Sequence, residues 1–221
     1  MSETLDQRRT RAAAIIAQLR QDYPGARCSL DFTNALELLV ATVLSAQCTD
    51  ERVNLVTKTL FAKYRTAADY ADAPIAELEQ EIKSTGFYRS KARHVQEAAR
   101  IIAERYDGVV PRTMEELTAL PGVARKTANV VLGNAYGIVV GVVVDTHVGR
   151  LARRMGLTES EDPAVVEQDL MALYPQSDWL DLSHLLIYHG RAVCQARRAI
   201  CESCSVAKLC PTGIATLRLG A

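Results

Sequence analysis

Apolar positions recur with a helical period along most of the chain. Ala12, Ile15, Ile16, Leu19 and Tyr23 fall on one face, and Pro24-Gly25 ends that helix, because proline lacks a backbone donor and glycine admits left-handed backbone. Asn34 followed by Glu37 is a start signal for a second helix, whose residues 38–47 are apolar nearly all round, as in a helix buried in the middle of a domain. Thr49 or Asp50 can cap the next, through Val53, Val56, Leu60 and Phe61. Short helices are expected over 67–71 and from Pro74, which suits a first helical position, to Ser84, with Gly86 just beyond. Residues 90–106 then turn Ala92, Val95, Ala99, Ile102 and Tyr106 inward and close at Gly108.

The segment from Thr113 to Arg150 has the most unusual pattern. Thr113 can cap a helix, and Glu116 can reciprocate. Leu120-Pro121-Gly122-Val123-Ala124 breaks that helix, and so short a turn folds the next one straight back, with Ala128, Val131, Leu132 and Ala135 on its buried face. Lys126 lies in the first turn, off that stripe. A lysine is mildly disfavoured at the positive end of a helix, whereas the open N–H groups exposed there through Gly122 suit an anion such as phosphate. A solvated lysine on a plain helical hairpin is the competing account. Residues 138–144 are β-branched residues and glycine, a strand by propensity, but no second segment is available to pair with them. They are better read as an extended buried connector leading to Asp145. Asp145 can cap a helix that buries Val148, Leu151, Ala152 and Met155 before Gly156. Asp162-Pro163 opens another helix, and residues 179–192 form a last long one, so the expected fold class is all-α.

A chain of 221 residues can bury a substantial core in one or two domains, and 48% hydrophobic with 24% charged residues is ordinary for a water-soluble protein. The formal net charge is zero, but the charge is segregated. Residues 119–157 carry Arg125, Lys126, Arg150, Arg153 and Arg154 against Asp145 alone, while residues 158–181 carry seven acids and no base. Such a pattern can give a balanced protein one basic face, the requirement for contact with a nucleic-acid backbone, or it can reflect solvated helix faces. The N-terminal stretch is charged throughout, which excludes a signal peptide, and no run approaches the length of a membrane span. A cytoplasmic or nucleoid-associated protein is expected, with no membrane partner.

Cys194, Cys201, Cys204 and Cys210 are spaced C-x6-C-x2-C-x5-C, apart from Cys28 and Cys48. Four thiols in so short a stretch of a cytosolic protein argue for a metal or cluster rather than disulfides. Spacing alone leaves zinc and iron-sulfur both open.

LPGVARKTANVV followed by VDTH, together with SAQCTD at Ser45 to Asp50, TGFYRSKA at Thr85 to Ala92, HGR at His189 to Arg191 and the four cysteines, resembles the helix-hairpin-helix DNA glycosylase/AP lyase family. The resemblance covers nearly the whole chain. It implies a six-helix barrel domain over 28–138, with the hairpin at about 113–135, and a discontinuous iron-sulfur domain from 1–27 plus 139–221. The implied activity removes damaged pyrimidines from double-stranded DNA and nicks at the abasic site. Lys126 would be the nucleophile, with partial burial, the helix end and Arg125 favouring its neutral form. Asp145 would be the carboxylate partner, facing Lys126 across a cleft that holds DNA, and Thr146 and His147 would support it. A carboxylate that caps a helix can still stabilise positive charge on the sugar. Cys194, Cys201, Cys204 and Cys210 would bind a 4Fe-4S cluster, a closed and non-catalytic site. DNA contacts would come from Gln47, Phe87, Gly122, Ala124, Arg125, Thr127, Arg197 and Arg198.

For two of these the residues allow a second account. Gln47 is a loop amide bonded to backbone or a side chain entering the space left by an extruded nucleotide. Phe87 is a core residue or an apolar wedge between base steps, where the family commonly has leucine. Ala124 departs from the family, which usually has glycine there; if the position needs positive φ, alanine costs roughly 1 kcal/mol. A related adenine-removing branch lacks the hairpin lysine and adds a C-terminal recognition domain, whereas this chain has Lys126 and ends at Ala221. A non-catalytic DNA-binding or redox module is the reading from a different class. The protein is expected to act as a monomer.

Overall fold

The computed structural model describes residues 3–219, and among these the regular structure is helical throughout, with one isolated antiparallel bridge between Cys194 and Ala199. The helices are α1 (Leu5–Asp22), α2 (Ala35–Leu44), α3 (Asp50–Lys63), α4 (Ala67–Asp72), α5 (Ile75–Glu81), α6 (Tyr88–Arg105), α7 (Met114–Thr118) and α8 (Arg125–Tyr136). They continue with α9 (Thr146–Arg154), α10 (Pro163–Leu173), α11 (Trp179–Ala192) and α12 (Pro211–Leu219). The chain forms two compact units, Cys28–Ile138 and Met1–Arg27 with Val139–Ala221.

In the first unit α2 runs through the centre. All its residues from Leu38 to Leu44 are buried, α8 packs along it, and α4 and α5 pack on α6. Thr42 is tolerated inside because its hydroxyl donates to the Leu38 carbonyl at 2.7 Å, so no polar group is left unpaired. The helix stops at Leu44, short of Gln47. Ser45 turns its hydroxyl back to the Thr42 carbonyl, and Gln47 takes left-handed backbone at φ 52°. Pro74 is the N-cap of α5 rather than its first helical residue, and a 3-10 turn over Lys83–Thr85 follows where the helix was expected to continue. α6 begins at Tyr88, earlier than expected, because Phe87 at φ 47° is its N-cap. At its far end Tyr106 is a half-buried C-cap rather than an inward residue.

In the second unit α1 buries Ala12, Ile15, Ile16 and Leu19 against α10 and α11. Arg11 on its side donates to the carbonyls of Met155, Gly156 and Leu209, which satisfies the C-terminal end of α9. The 138–144 connector is extended and unpaired as a strand. Its backbone is satisfied by side chains instead: the Val143 N–H donates to Ser183 Oγ at 3.0 Å, and Gln176 Nε2 donates to the Val139 carbonyl at 2.7 Å. α12 was not expected from the sequence. Thr212 in its first turn donates to the Arg154 carbonyl at 2.8 Å.

Candidate active site and nucleic-acid interface

The hairpin in the first unit is built by α7, a tight turn and α8. Thr113 Oγ1 accepts from the Glu116 N–H at 3.2 Å, and the Glu116 carboxylate accepts from that same hydroxyl at 2.7 Å rather than from the Thr113 backbone. Gly122 is left-handed at φ +75°, and a Cβ there would lie 2.8 Å from the Cβ of His94, so both backbone and space require glycine. Ala124 sits at φ −86° and ψ 168°, ordinary extended backbone. The cost considered for alanine at this position therefore does not arise. Ala124 supplies no side-chain cap to α8, and around this end of the helix Gly122, Arg125 and Lys126 are exposed and Thr127 is half-buried. Lys126 is exposed, contrary to the partial burial expected of it, because the first turn of α8 projects from the core while Ala128, Val131 and Leu132 enter it.

Two loops of the same unit carry Gln47 and Phe87. Phe87 is 67% exposed, which sets aside the core reading; its neighbour Tyr88 is the aromatic that packs against the core. Gln47 is exposed, and its amide bonds no backbone group among the described residues. Among those residues the only non-glycines at positive φ are Gln47, Phe87 and Asp107. Left-handed backbone at such side chains costs about 1–2 kcal/mol each and persists where the surroundings impose it. That signal marks the two residues, and propensity cannot show it.

In the second unit Asp145 is the N-cap of α9. Its Oδ1 accepts from the N–H groups of His147 and Val148, both at 2.8 Å, and its Oδ2 lies 3.2 Å from His147 Nδ1. The carboxylate is thus fixed by backbone on one side and an imidazole on the other. Gly190 of the HGR segment gives Arg150 room, since a Cβ there would come within 3.0 Å of its Nη2. That nitrogen donates to the carbonyls of Gly190 and Cys194. Arg154 donates to Cys194 Sγ at 3.3 Å, to the Gln195 carbonyl at 2.7 Å and to the Ala196 carbonyl at 3.0 Å, while Arg153 pairs with Glu161. The run of arginines read as a basic face is therefore partly internal: Arg150 and Arg154 hold the cysteine loop.

Cys194, Cys201, Cys204 and Cys210 are all free thiols and together line one small cavity of about 20 Å³, with His189 and Arg154 beside them. Burial pushes the Cys204 thiol up to about 11 and raises Cys210 as well, so these two are costly to hold as thiolates without a positive centre beside them. No three His, Cys, Asp or Glu side chains among the described residues converge as ligands of a single metal ion. His189 is 1% exposed, lies 3.0 Å from the Tyr23 hydroxyl through Nδ1 and 3.4 Å from Cys204 Sγ through Nε2, and burial holds its pKa below the ordinary value. Arg197 and Arg198 are exposed on the loop between the first two cysteines.

One unit carries a helical hairpin that bears Lys126 and is preceded by an obligatory glycine; the other, in the same chain, holds a capped aspartate and a four-cysteine loop. Residues 40–176 match the HhH-GPD superfamily of base excision DNA repair proteins, and the chain is a member of that class. It is 56% identical over 209 residues to endonuclease III of Synechocystis sp., covering 95% of each chain, and so belongs to the endonuclease III family. Among solved structures it is similar to a non-covalent endonuclease III–DNA complex at 44% identity and a TM-score of 0.90, over 95% of this chain and 98% of that one. A trapped endonuclease III–DNA covalent intermediate matches at the same identity and TM-score, over 95% and 99%.

Proposed function

We propose that this chain is a bifunctional base-excision repair enzyme, which removes oxidised or otherwise damaged pyrimidines from double-stranded DNA and then cuts the strand 3′ to the abasic site. The single observation that carries it is Lys126, exposed on the first turn of α8 behind a glycine that admits nothing larger, in a chain of the endonuclease III family. A base stacked in a duplex hides its glycosidic carbon, so the nucleotide is first extruded, at a cost of a few kcal/mol that damage lowers. The lone pair of Lys126 Nζ then forms a bond to C1′ while the bond from C1′ to the base breaks, and the base leaves with that electron pair and takes up a proton. Loss of a proton from nitrogen and opening of the sugar ring give an imine. The imine acidifies the C2′ proton; its removal expels the 3′ phosphate, and water hydrolyses the imine to free the lysine. Asp145 stabilises the positive charge that develops on the sugar, with His147 holding its second oxygen and Thr146 beside it in support.

The amides around Gly122, Ala124 and Thr127, with Arg125, grip the phosphates beside the lesion. Gln47 fills the space of the departed nucleotide and Phe87 wedges the neighbouring step. The unit Cys28–Ile138 is the barrel domain that carries the hairpin, and the discontinuous unit is the cluster domain. Its four cysteines hold a 4Fe-4S cluster. The four thiols share one cavity, a donor set that suits an iron-sulfur cluster. When bound, the cluster gives a rigid base to the loop that presents Arg197 and Arg198 to a phosphate. The chain works as a monomer in the cytoplasm, on the nucleoid; among the described residues no helix is long and apolar enough to cross a membrane.

The test is reductive trapping. Wild type with an abasic duplex and borohydride should give one band containing both protein and oligonucleotide, while Lys126→Ala should bind the duplex and neither cross-link nor nick. Equal nicking by both proteins, or none by either, would point to a module that only grips DNA.

A further inference from the structure

Lys91 is a buried lysine, only 4% exposed, and among the described residues its hydrogen-bond partners are carbonyls rather than a carboxylate. Its ammonium donates to two carbonyls, that of Leu44 at 2.7 Å and that of Thr85 at 2.8 Å. An ammonium is costly to bury, and desolvation pulls the Lys91 pKa below its ordinary value. Such a group is kept where its bonds do something an apolar side chain could not.

Its two acceptors lie at equivalent points of the chain. Leu44 is the last residue of α2, and Thr85 is the last of the 3-10 turn that follows α5. At both, the backbone ladder has run out. Among the described residues no backbone N–H reaches either carbonyl, the Cys48 N–H going to the Ser45 carbonyl instead, so the carbonyls of Leu44 and Thr85 are left to the lysine. Terminal carbonyls of helical turns carry partial negative charge, which makes one cation between two of them favourable. Beyond each acceptor comes a sharp left-handed turn: Gln47 at φ 52° after Leu44, and Gly86 at φ 72° with Phe87 at φ 47° after Thr85. The residues assigned to the vacated space and to the wedge are therefore the tips of two loops that spring from one ammonium.

We propose that Lys91 is a positioning residue that sets the spacing of the Gln47 and Phe87 loops, so that both enter the duplex together when a nucleotide is extruded. The inference rests on the DNA-penetrating roles given above to Gln47 and Phe87. Without the ammonium two buried carbonyls lose their donor, and each loop is free to settle independently. A wedge and a filler misplaced by an ångström lose their combined effect on the duplex, while the amine chemistry of Lys126, carried by α8, uses neither loop.

The experiment compares two substrates. A duplex with a damaged pyrimidine requires extrusion; a single-stranded oligonucleotide with an abasic site requires none, and its nicking reports the lyase step alone. Lys91→Met should lower kcat/KM on the duplex by about 10- to 100-fold, the loss that misplacement of this kind causes. It should leave single-strand nicking and borohydride trapping near wild type, and reduce the fluorescence rise of 2-aminopurine placed opposite the lesion. In the Lys91→Met background Phe87→Ala should cost less than it does in wild type, because the wedge is already out of register. Should Lys91→Met fail to fold, Lys91→Gln, neutral and shorter but with two donors, carries the same comparison. Equal losses on both substrates, or none on either, would overturn the proposal. A wild type that neither nicks nor traps would instead overturn the function on which it rests.

Discussion

Asp145 combines two demands that separate substitutions can pull apart. Its Oδ1 caps α9 through two backbone N–H groups, and asparagine can keep that acceptor while alanine cannot. Asp145→Ala should therefore lose about 1 kcal/mol in urea unfolding while Asp145→Asn loses a few tenths, yet both should be deficient in base removal, since both lack the charge. An asparagine variant with wild-type turnover would confine the residue to its capping role. The turn before α8 allows a second comparison. Gly122→Ala meets both a left-handed φ and the side chain of His94, so thermal unfolding should show a loss of about 2 kcal/mol or more. Ala124→Gly relieves no backbone strain at φ −86°, but at the N-cap of α8, where glycine is preferred to alanine, it should raise stability by up to about 1 kcal/mol in thermal unfolding.

At the level of elements, α11 carries a titrating group that links its packing to pH. Burial holds His184 below the ordinary histidine value. The unfolded chain then takes up the proton more readily than the folded one. The stability His184 contributes is complete above about pH 6.5 and is lost as pH falls through its lower folded value. Unfolding curves between about pH 7 and pH 5 should show a shallower loss in His184→Gln than in wild type. Parallel curves would remove the assignment. Elements of this kind were legible in the sequence where an apolar stripe and a cap agreed, as in α3 and α9. The misplaced boundaries have physical causes. α2 stops at Leu44, three residues before left-handed Gln47, and α6 begins directly after left-handed Phe87, neither of which residue type announces, and α12 follows directly on the last cysteine without a long stripe of its own. Charge misled in the same way. Arg150 and Arg154 count as basic residues along the chain, but in space they are spent on carbonyls around Cys194, and Lys91 on a helix of mixed composition gave no sign of being buried. Lys126 and Asp145 could be singled out because their motif is specific; spacing and helical period alone left Lys126 an ordinary solvated residue.

For the whole molecule the cysteine unit makes the sharpest claim. Protein purified without added metal should be brown and carry about four irons per chain. Cys204→Ser should lower the iron content and expose the 194–210 loop to protease, while α2 to α8, which lie in the other compact unit, keep their helical signal. A colourless preparation with zinc and no iron would refute the cluster. Nearly all the rest of that unit depends on α1, whose Ala12, Ile15, Ile16 and Leu19 are covered by segments more than a hundred residues later. During synthesis at roughly 5–20 residues per second, α1 leaves the ribosome many seconds before the surfaces that will cover it exist. Residues 28–138 emerge in one uninterrupted stretch and can collapse meanwhile. In a living cell the greasy side of that first helix is thus open to chaperones on every round of translation, and a ribosome stalled anywhere before the last cysteine leaves it so.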